Sequence, residues 1–145
     1  MSFQNQFTKT TTDANLMETV HHGSAEYPFR YYYENIALFD FKCIDWHWHS
    51  ELEFIYIESG NVVFDIGTVH FELNEGNGIM INSKILHRLQ SSSDAIIPNF
   101  LFQPSFIAPQ DSLIYKKYIN PVISSSLEYL VFNQIFPGRK KLLKS

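Results

Sequence analysis

From Pro28 onward, apolar runs of about six residues alternate with clusters of Gly, Asn, Ser and Asp. FRYYYEN, IALFDFKC, ELEFIYIE, NVVFDI, TVHFEL, GIMIN, LHRLQ and AIIPNFLF follow one another at near-regular intervals. Short strands at that spacing predict a mainly β sandwich or barrel. The reversals between them have physical causes. Ile66-Gly67-Thr68-Val69 places glycine first in a two-residue loop, as a type II′ hairpin requires. Ser59-Gly60-Asn61 supplies residues that tolerate positive φ. Pro98 inside AIIPNFLF predicts an edge strand or a bulge, because proline donates nothing to a ladder.

The pattern fades on both sides of this block. Residues 1–26 show weak periodicity and many Thr, Asn and Gln, and read as an N-terminal arm. Residues 27–108 form the β unit, and 109–145 a C-terminal segment. In that segment Asp111 to Ile119 carries Leu113, Ile114 and Tyr118 at helical spacing, with Asp111 or Ser112 as cap. SSSLEYLVF admits two readings: Ser125 and Glu128 as a capping box, or Leu127, Tyr129 and Val131 alternating as a strand. PGRKKLLKS opens with proline and continues with helix formers, so the chain reads as breaking off where a helix begins. Its cations read as a solvated tail rather than a nucleic-acid patch.

Composition narrows the classes. At 145 residues, with 45% hydrophobic and 18% charged residues, the chain is one globular domain. A net charge of −4 gives no basic face for nucleic acid. The single cysteine, Cys43, excludes an internal disulfide, fits a reducing cytoplasm, and reads as a small buried hydrophobe. No run approaches the roughly 18 apolar residues of a membrane helix, and the N-terminus lacks a signal-peptide core. A cytoplasmic, membrane-free protein is expected.

The chemistry lies in HWHSELEFIYIESG, His47 to Gly60. In an extended strand side chains alternate between faces. His47, His49, Glu53, Ile55 and Ile57 share one parity, with Glu51, while Trp46, Trp48, Leu52, Phe54 and Tyr56 take the other. Downstream, EGNGIMINSKILH supplies His87. His47, His49, Glu53 and His87 make a ligand set suited to a divalent transition metal such as Zn, Ni, Fe or Mn. The same residues with Ile55 equally make a wall for an organic ligand, or a barrel turn whose histidines satisfy buried hydrogen bonds. Glu51, His70 and Glu72 read as solvated strand residues.

These segments carry a resemblance. His47-x-His49-x3-Glu53-x6-Gly60 matches the first cupin motif from its histidines onward, and Gly76-x5-Asn82-x-Lys84-x2-His87 is similar to the second. Phe41 and Lys84 stand where the motifs have glycine, Asn82 where proline is usual, and Ser91 where the closing asparagine is usual. The combined pattern, with YPFRYYYENI before it and PNFLFQPSFI after it, resembles the N-terminal sensor domain of AraC-family transcription regulators. The resemblance implies a double-stranded β-helix (cupin, jelly-roll barrel) with a short C-terminal helical segment. It further implies a non-enzymatic domain that binds a small effector, a sugar or other metabolite. The region after the barrel would begin a homodimerisation element, and DNA would be contacted only through a separate helix-turn-helix domain absent from these residues. The pocket would be His47, His49, Glu53, Ile55 and His87, with His21, His22 and Tyr27 of the arm as a lid. No cofactor is required on this reading. The alternative is a metal-dependent cupin enzyme (oxygenase, isomerase or decarboxylase) using His47, His49, Glu53 and His87.

Overall fold

One long hairpin, rolled up on itself, generates the architecture. A computed structural model describes residues 4–133. Its strands are β1 (Phe29–Asn35), β2 (Cys43–His47), β3 (Leu52–Tyr56), β4 (Asn61–Ile66), β5 (Val69–Asn74), β6 (Gly78–Ile81), β7 (His87–Gln90), β8 (Ile96–Phe102) and β9 (Tyr129–Phe132). The pairs β4–β5, β3–β6, β2–β7 and β1–β8 nest outward from the Gly67-Thr68 turn. Rolling splits them into two antiparallel sheets, ordered β1-β8-β3-β6-β9 and β2-β7-β4-β5. This is the double-stranded β-helix that the resemblance implied.

The inner faces meet in a core of Ile36, Ile57, Val62, Phe64, Ile66, Ile79, Ile81, Leu89 and Ile97, all fully buried. Gly67 has φ +56 and Thr68 a negative φ, the type II′ pattern. Gly60, at φ +84, also lies against Asp94: a Cβ there would sit 2.4 Å from the Asp94 carbonyl oxygen. Two motif positions keep the left-handed backbone without glycine, namely Phe41 (φ 60) and Lys84 (φ 65). For an L-residue that conformation costs about 1–2 kcal/mol.

Several expectations are corrected. IALFDFKC is not a strand; it forms two 3-10 turns, Ile36–Leu38 and Asp40–Lys42, the first capped by the Asn35 side chain accepting from the Ala37 N–H. The stretch from Trp46 to Ile57 is not one strand, because the chain crosses between sheets after His47. β8 is not an edge strand: β1 flanks it on one side and β3 on the other. Pro98 fits there because its ring nitrogen faces the β3 side, as the Ile96 N–H does toward Ser59, at the point where the β3 ladder lapses beyond Ile55↔Asn99. Cys43 is half-buried rather than buried.

The segment after the barrel is joined to it by a strand ladder and by the side chain of Asn82. Ser112 caps the helical run, its Oγ accepting from the Tyr115 N–H at 3.1 Å. A π-helical turn, Tyr115–Ile119, leads into α1 (Asn120–Ile123). The expected apolar face is reversed: Tyr115 and Ile119 are buried, whereas Leu113, Ile114 and Tyr118 are exposed. SSSLEYLVF resolves as a strand, β9, which completes the edge of β6 with Tyr129 opposite Ile81. PGRKKLLKS lies outside the described residues. Asn82, only 2% exposed, ties this segment to the barrel. Its Nδ2 donates to the carbonyls of Val122 (3.0 Å) and Leu127 (2.8 Å), and its Oδ1 accepts from the Ser83 N–H (2.8 Å). Asn82→Ala is expected to lower stability by about 1–2 kcal/mol, because the Leu127 carbonyl loses its side-chain donor while the Val122 carbonyl keeps Ser125. Urea denaturation measures the loss, and limited proteolysis should show earlier cleavage within residues 120–128.

Candidate effector and metal site

The roll brings both corners of the hairpin to one end of the barrel. β2 ends at His47 and β7 begins at His87, and these residues face each other in register with ring centroids 4.3 Å apart. A bulge at Asp45 and Trp46, where β2 carries one residue more than β7, precedes His47. His49 lies in the crossing between sheets, and Glu53 follows near the start of β3 in the opposite sheet. The shared parity therefore survives a change of sheet, because both inner faces look into the same interior. His47, His49, Glu53, Ile55 and His87 are all buried, so the structure assembles the residues singled out from sequence.

Each imidazole is oriented by its own backbone. Nδ1 of His47 donates to the Asp45 carbonyl (2.7 Å), that of His49 to the Glu51 carbonyl (3.1 Å) and that of His87 to the Ile85 carbonyl (2.8 Å). A carbonyl only accepts, so every Nδ1 bears the proton and every Nε2 is left for the centre. There Glu53 Oε1 lies 3.1 Å from His49 Nε2 and 3.3 Å from His87 Nε2. Two bare lone pairs facing a carboxylate would repel it, so the centre requires a proton or a cation. Burial works against charge on His49, but the Glu53 carboxylate outweighs it and raises His49 to about 9. Glu53 is likewise pushed up by burial, yet its hydrogen bonds to His49 and His87 hold it well below the usual carboxylate range. Burial, then the neighbouring His87 and His49, keeps His47 neutral, its value well below the ordinary one.

One donor atom from each of His47, His49, Glu53 and His87 lies within 4.8 Å of the others. With every Nε2 turned inward and every Nδ1 tied to a carbonyl, the quartet fits a transition-metal ion, which would take the place of the shared proton. Such an ion would supply Lewis acidity and open positions for a ligand.

His47 and Glu53 open onto a cavity that the sequence did not disclose. Tyr32, Glu34 and Asn99 line it from β1 and β8, Phe39 and Ile44 close its side, and arm residues Phe7, Thr10, Glu18, Val20 and His22 roof it. Of the expected lid, His22 alone reaches the site. It is buried, its ring 5.9 Å from that of His49, whereas His21 and Tyr27 are exposed. His22 Nε2–H donates to Glu18, and Tyr32 Oη donates to His22 Nδ1 at 2.7 Å. Glu51, expected in solvent, is buried, with Oε1 3.8 Å from His49 Nδ1. His70 and Glu72 are exposed as expected, His70 pairing with Asp65 across the β4–β5 ladder. The parity of FRYYYEN would have flagged Tyr32 and Glu34 together, but no spacing rule ties that strand to Asn99.

Among the described residues no lysine or arginine pairs with Glu34. Burial, chiefly, raises its carboxyl to about 7, with the Asn99 amide pulling the other way. A raised folded value means that the folded protein binds this proton more tightly than the unfolded chain. Stability from Glu34 is therefore complete below pH 4.5 and is lost as pH rises to about 7. Glu34→Gln is expected to flatten this slope and to gain on the order of 3 kcal/mol at pH 8. Urea midpoints of both proteins at pH 5 and pH 8 measure it.

Comparison with known proteins agrees with this geometry. The profile of the AraC-like ligand binding domain matches residues 39–108. The uncharacterized HTH-type transcriptional regulator YdeC of Bacillus subtilis is 33% identical over 121 residues, 81% of this chain. This chain spans 41% of that relative's length. Among solved structures, a cupin 2 conserved barrel protein of Salinispora arenicola aligns with a TM-score of 0.47 at 13% identity, covering 61% of this chain and 71% of the other. A cupin-2 domain protein of Shewanella frigidimarina aligns at 0.45 and 14%, covering 50% and 69%. Among the described residues no helix is long and apolar enough to cross a membrane. The nested hairpins, the buried histidine quartet and the profile match converge on one unit: residues 39–108 match the AraC-like ligand-binding domain and lie on a double-stranded β-helix.

Proposed function

We propose that this chain is the effector sensor of a cytoplasmic transcription regulator, whose DNA contacts are made by a helix-turn-helix domain outside these residues. The observation that carries the reading is the polar cavity between the histidine quartet and the arm. Its floor is the barrel and its roof is the arm, which carries no strand of either sheet and is joined to the barrel by separate hydrogen bonds such as Glu18 N–H to the Trp48 carbonyl and Asp45 N–H to Thr10 Oγ1. A site with a fixed floor and a detachable roof turns ligand binding into a change of arm position, provided the ligand has unequal affinity for the two positions. The effector is a small molecule of the sugar or metabolite class expected from the resemblance, and it is bound without turnover. Homodimerisation is supported by the exposed stripe Leu113, Ile114, Tyr118 and Val122, because apolar side chains in one patch mark contact surfaces.

A second reading, a metal-dependent cupin enzyme, is favoured by the quartet alone. A thermal-shift screen of the untagged chain against small metabolites and divalent metals separates the two. Under the sensor reading a ligand at one hundred times its Kd stabilises by about 2.7 kcal/mol, or roughly 5–11 °C, with no product formed. One full equivalent of iron or manganese, lost in His49→Ala together with a turnover activity, would overturn it.

A further inference from the structure

The cavity's spare hydrogen-bonding capacity identifies what it takes. Both hydrogens of the Asn99 amide are committed, to Glu34 Oε1 (3.0 Å) and to the Ile97 carbonyl (2.9 Å). Asn99 Oδ1 and the second Glu34 oxygen have no hydrogen-bond partner among the described residues. Asn99 is 3% exposed and Glu34 6% exposed, so neither is served by open solvent. The hydrogen of Tyr32 goes to His22, and that of His22 goes to Glu18, leaving the Tyr32 oxygen and the second Glu18 oxygen as acceptors. Lys9, the cation at the rim, is 73% exposed at its side chain and lies 3.9 Å from Asp40. With Glu34 ionised, what remains on this wall, the Thr10 hydroxyl apart, is acceptors, two of them carboxylates, with the rings of Phe7, Phe39 and Tyr32 beside them, the last with Arg30 5.7 Å from its centre.

We propose that this wall binds the ammonium group of a small amine, with Glu18, Glu34 and Asn99 as the residues that set specificity. The assignment rests on the cavity being the effector site. An ammonium donates three hydrogen bonds and accepts none, which matches an acceptor wall, and its charge is attracted by carboxylates and ring faces. A sugar hydroxyl both gives and takes, and finds few free donors here. A carboxylate or phosphate ligand would meet Glu18 and Glu34 with like charge. With the arm in place the cavity is about 40 Å³, enough for a few waters or one such group but not for a larger ligand. A longer alkyl chain must therefore displace Phe7 or Val20 of the arm.

Glu34 gives the binding a signature. It faces Glu53, Glu18 and His22, which lie on other elements, and it holds its proton up to about pH 7 while no cation is present. An ammonium favours the ionised carboxylate, so affinity rises as pH passes upward through 7 and a proton is released on binding.

The experiment is ligand titration of the metal-free chain followed by protein NMR and thermal shift. The probes are methylammonium and ethylammonium, the neutral methanol and ethanol, and the anionic formate and acetate. Only the ammonium series is expected to move the Tyr32 and Asn99 resonances and raise the melting temperature. Glu34→Gln, which removes a buried charge and so preserves the fold, should weaken binding about tenfold or more and abolish the pH dependence. Glu34→Asp should retain part of the affinity. If neutral or anionic probes bind this cavity as well as the ammonium ions, or Glu34→Gln leaves their selectivity unchanged, the assignment falls and the effector reading stands. If no probe of any series binds, the cavity is not the effector site and both fall.

Discussion

A carboxylate cannot be buried in a β-barrel without positive charge at its side, and Glu53 is the point where this chain meets that constraint. Its Oε1 is shared by His49 and His87, whose rings are held by backbone carbonyls two residues away in sequence. The arrangement is stiff because each ring is gripped from behind. Whatever sits at the centre, proton or metal ion, finds donors already aimed, so little ordering remains to oppose its binding. The rest of the barrel holds these two carbonyl-anchored corners at one height. Nested pairing gives both strands of the rolled hairpin their crossing at the same level, and the fully buried aliphatic core beneath sets the spacing.

Much of this was legible in the chain. The apolar runs gave seven of the eight expected strands before Phe102, and Gly67 and Gly60 take the positive φ their positions demanded. The quartet was visible because alternation is a property of the inner surface, and it holds when the strand changes sheet. The glycine positions of the cupin motifs show what a motif encodes. Phe41 and Lys84 differ in chemistry from glycine yet adopt its left-handed backbone, so the turn outlasts the residue that makes it easy.

What was not legible depends on long-range geometry. IALFDFKC has the composition of a strand, but the Asn35 side chain and a left-handed Phe41 and Lys42 coil it into turns. Leu113, Ile114 and Tyr118 have helical spacing, but spacing does not say which side of a helix meets the barrel; a π-helical turn places Tyr115 and Ile119 there instead. Glu34 and Asn99 lie 65 residues apart in sequence and meet only because β1 and β8 close the outermost hairpin. Glu51 is buried by neighbours that arrive from the arm and from the end of β8, which local polarity cannot foresee.

The arm has a second role beyond roofing the cavity. β2 is the outermost strand of its sheet, and the arm runs along its exposed margin. Met17 bridges Trp48, the Glu18 N–H reaches the Trp48 carbonyl, and Thr10 Oγ1 accepts from the Asp45 N–H. Lifting the arm therefore bares unpaired backbone groups in an extended row, a template onto which another extended chain can add. Any event that opens this domain also makes it adhesive, and its freed edge must be met by a partner or by the returning arm if the protein is to stay dispersed.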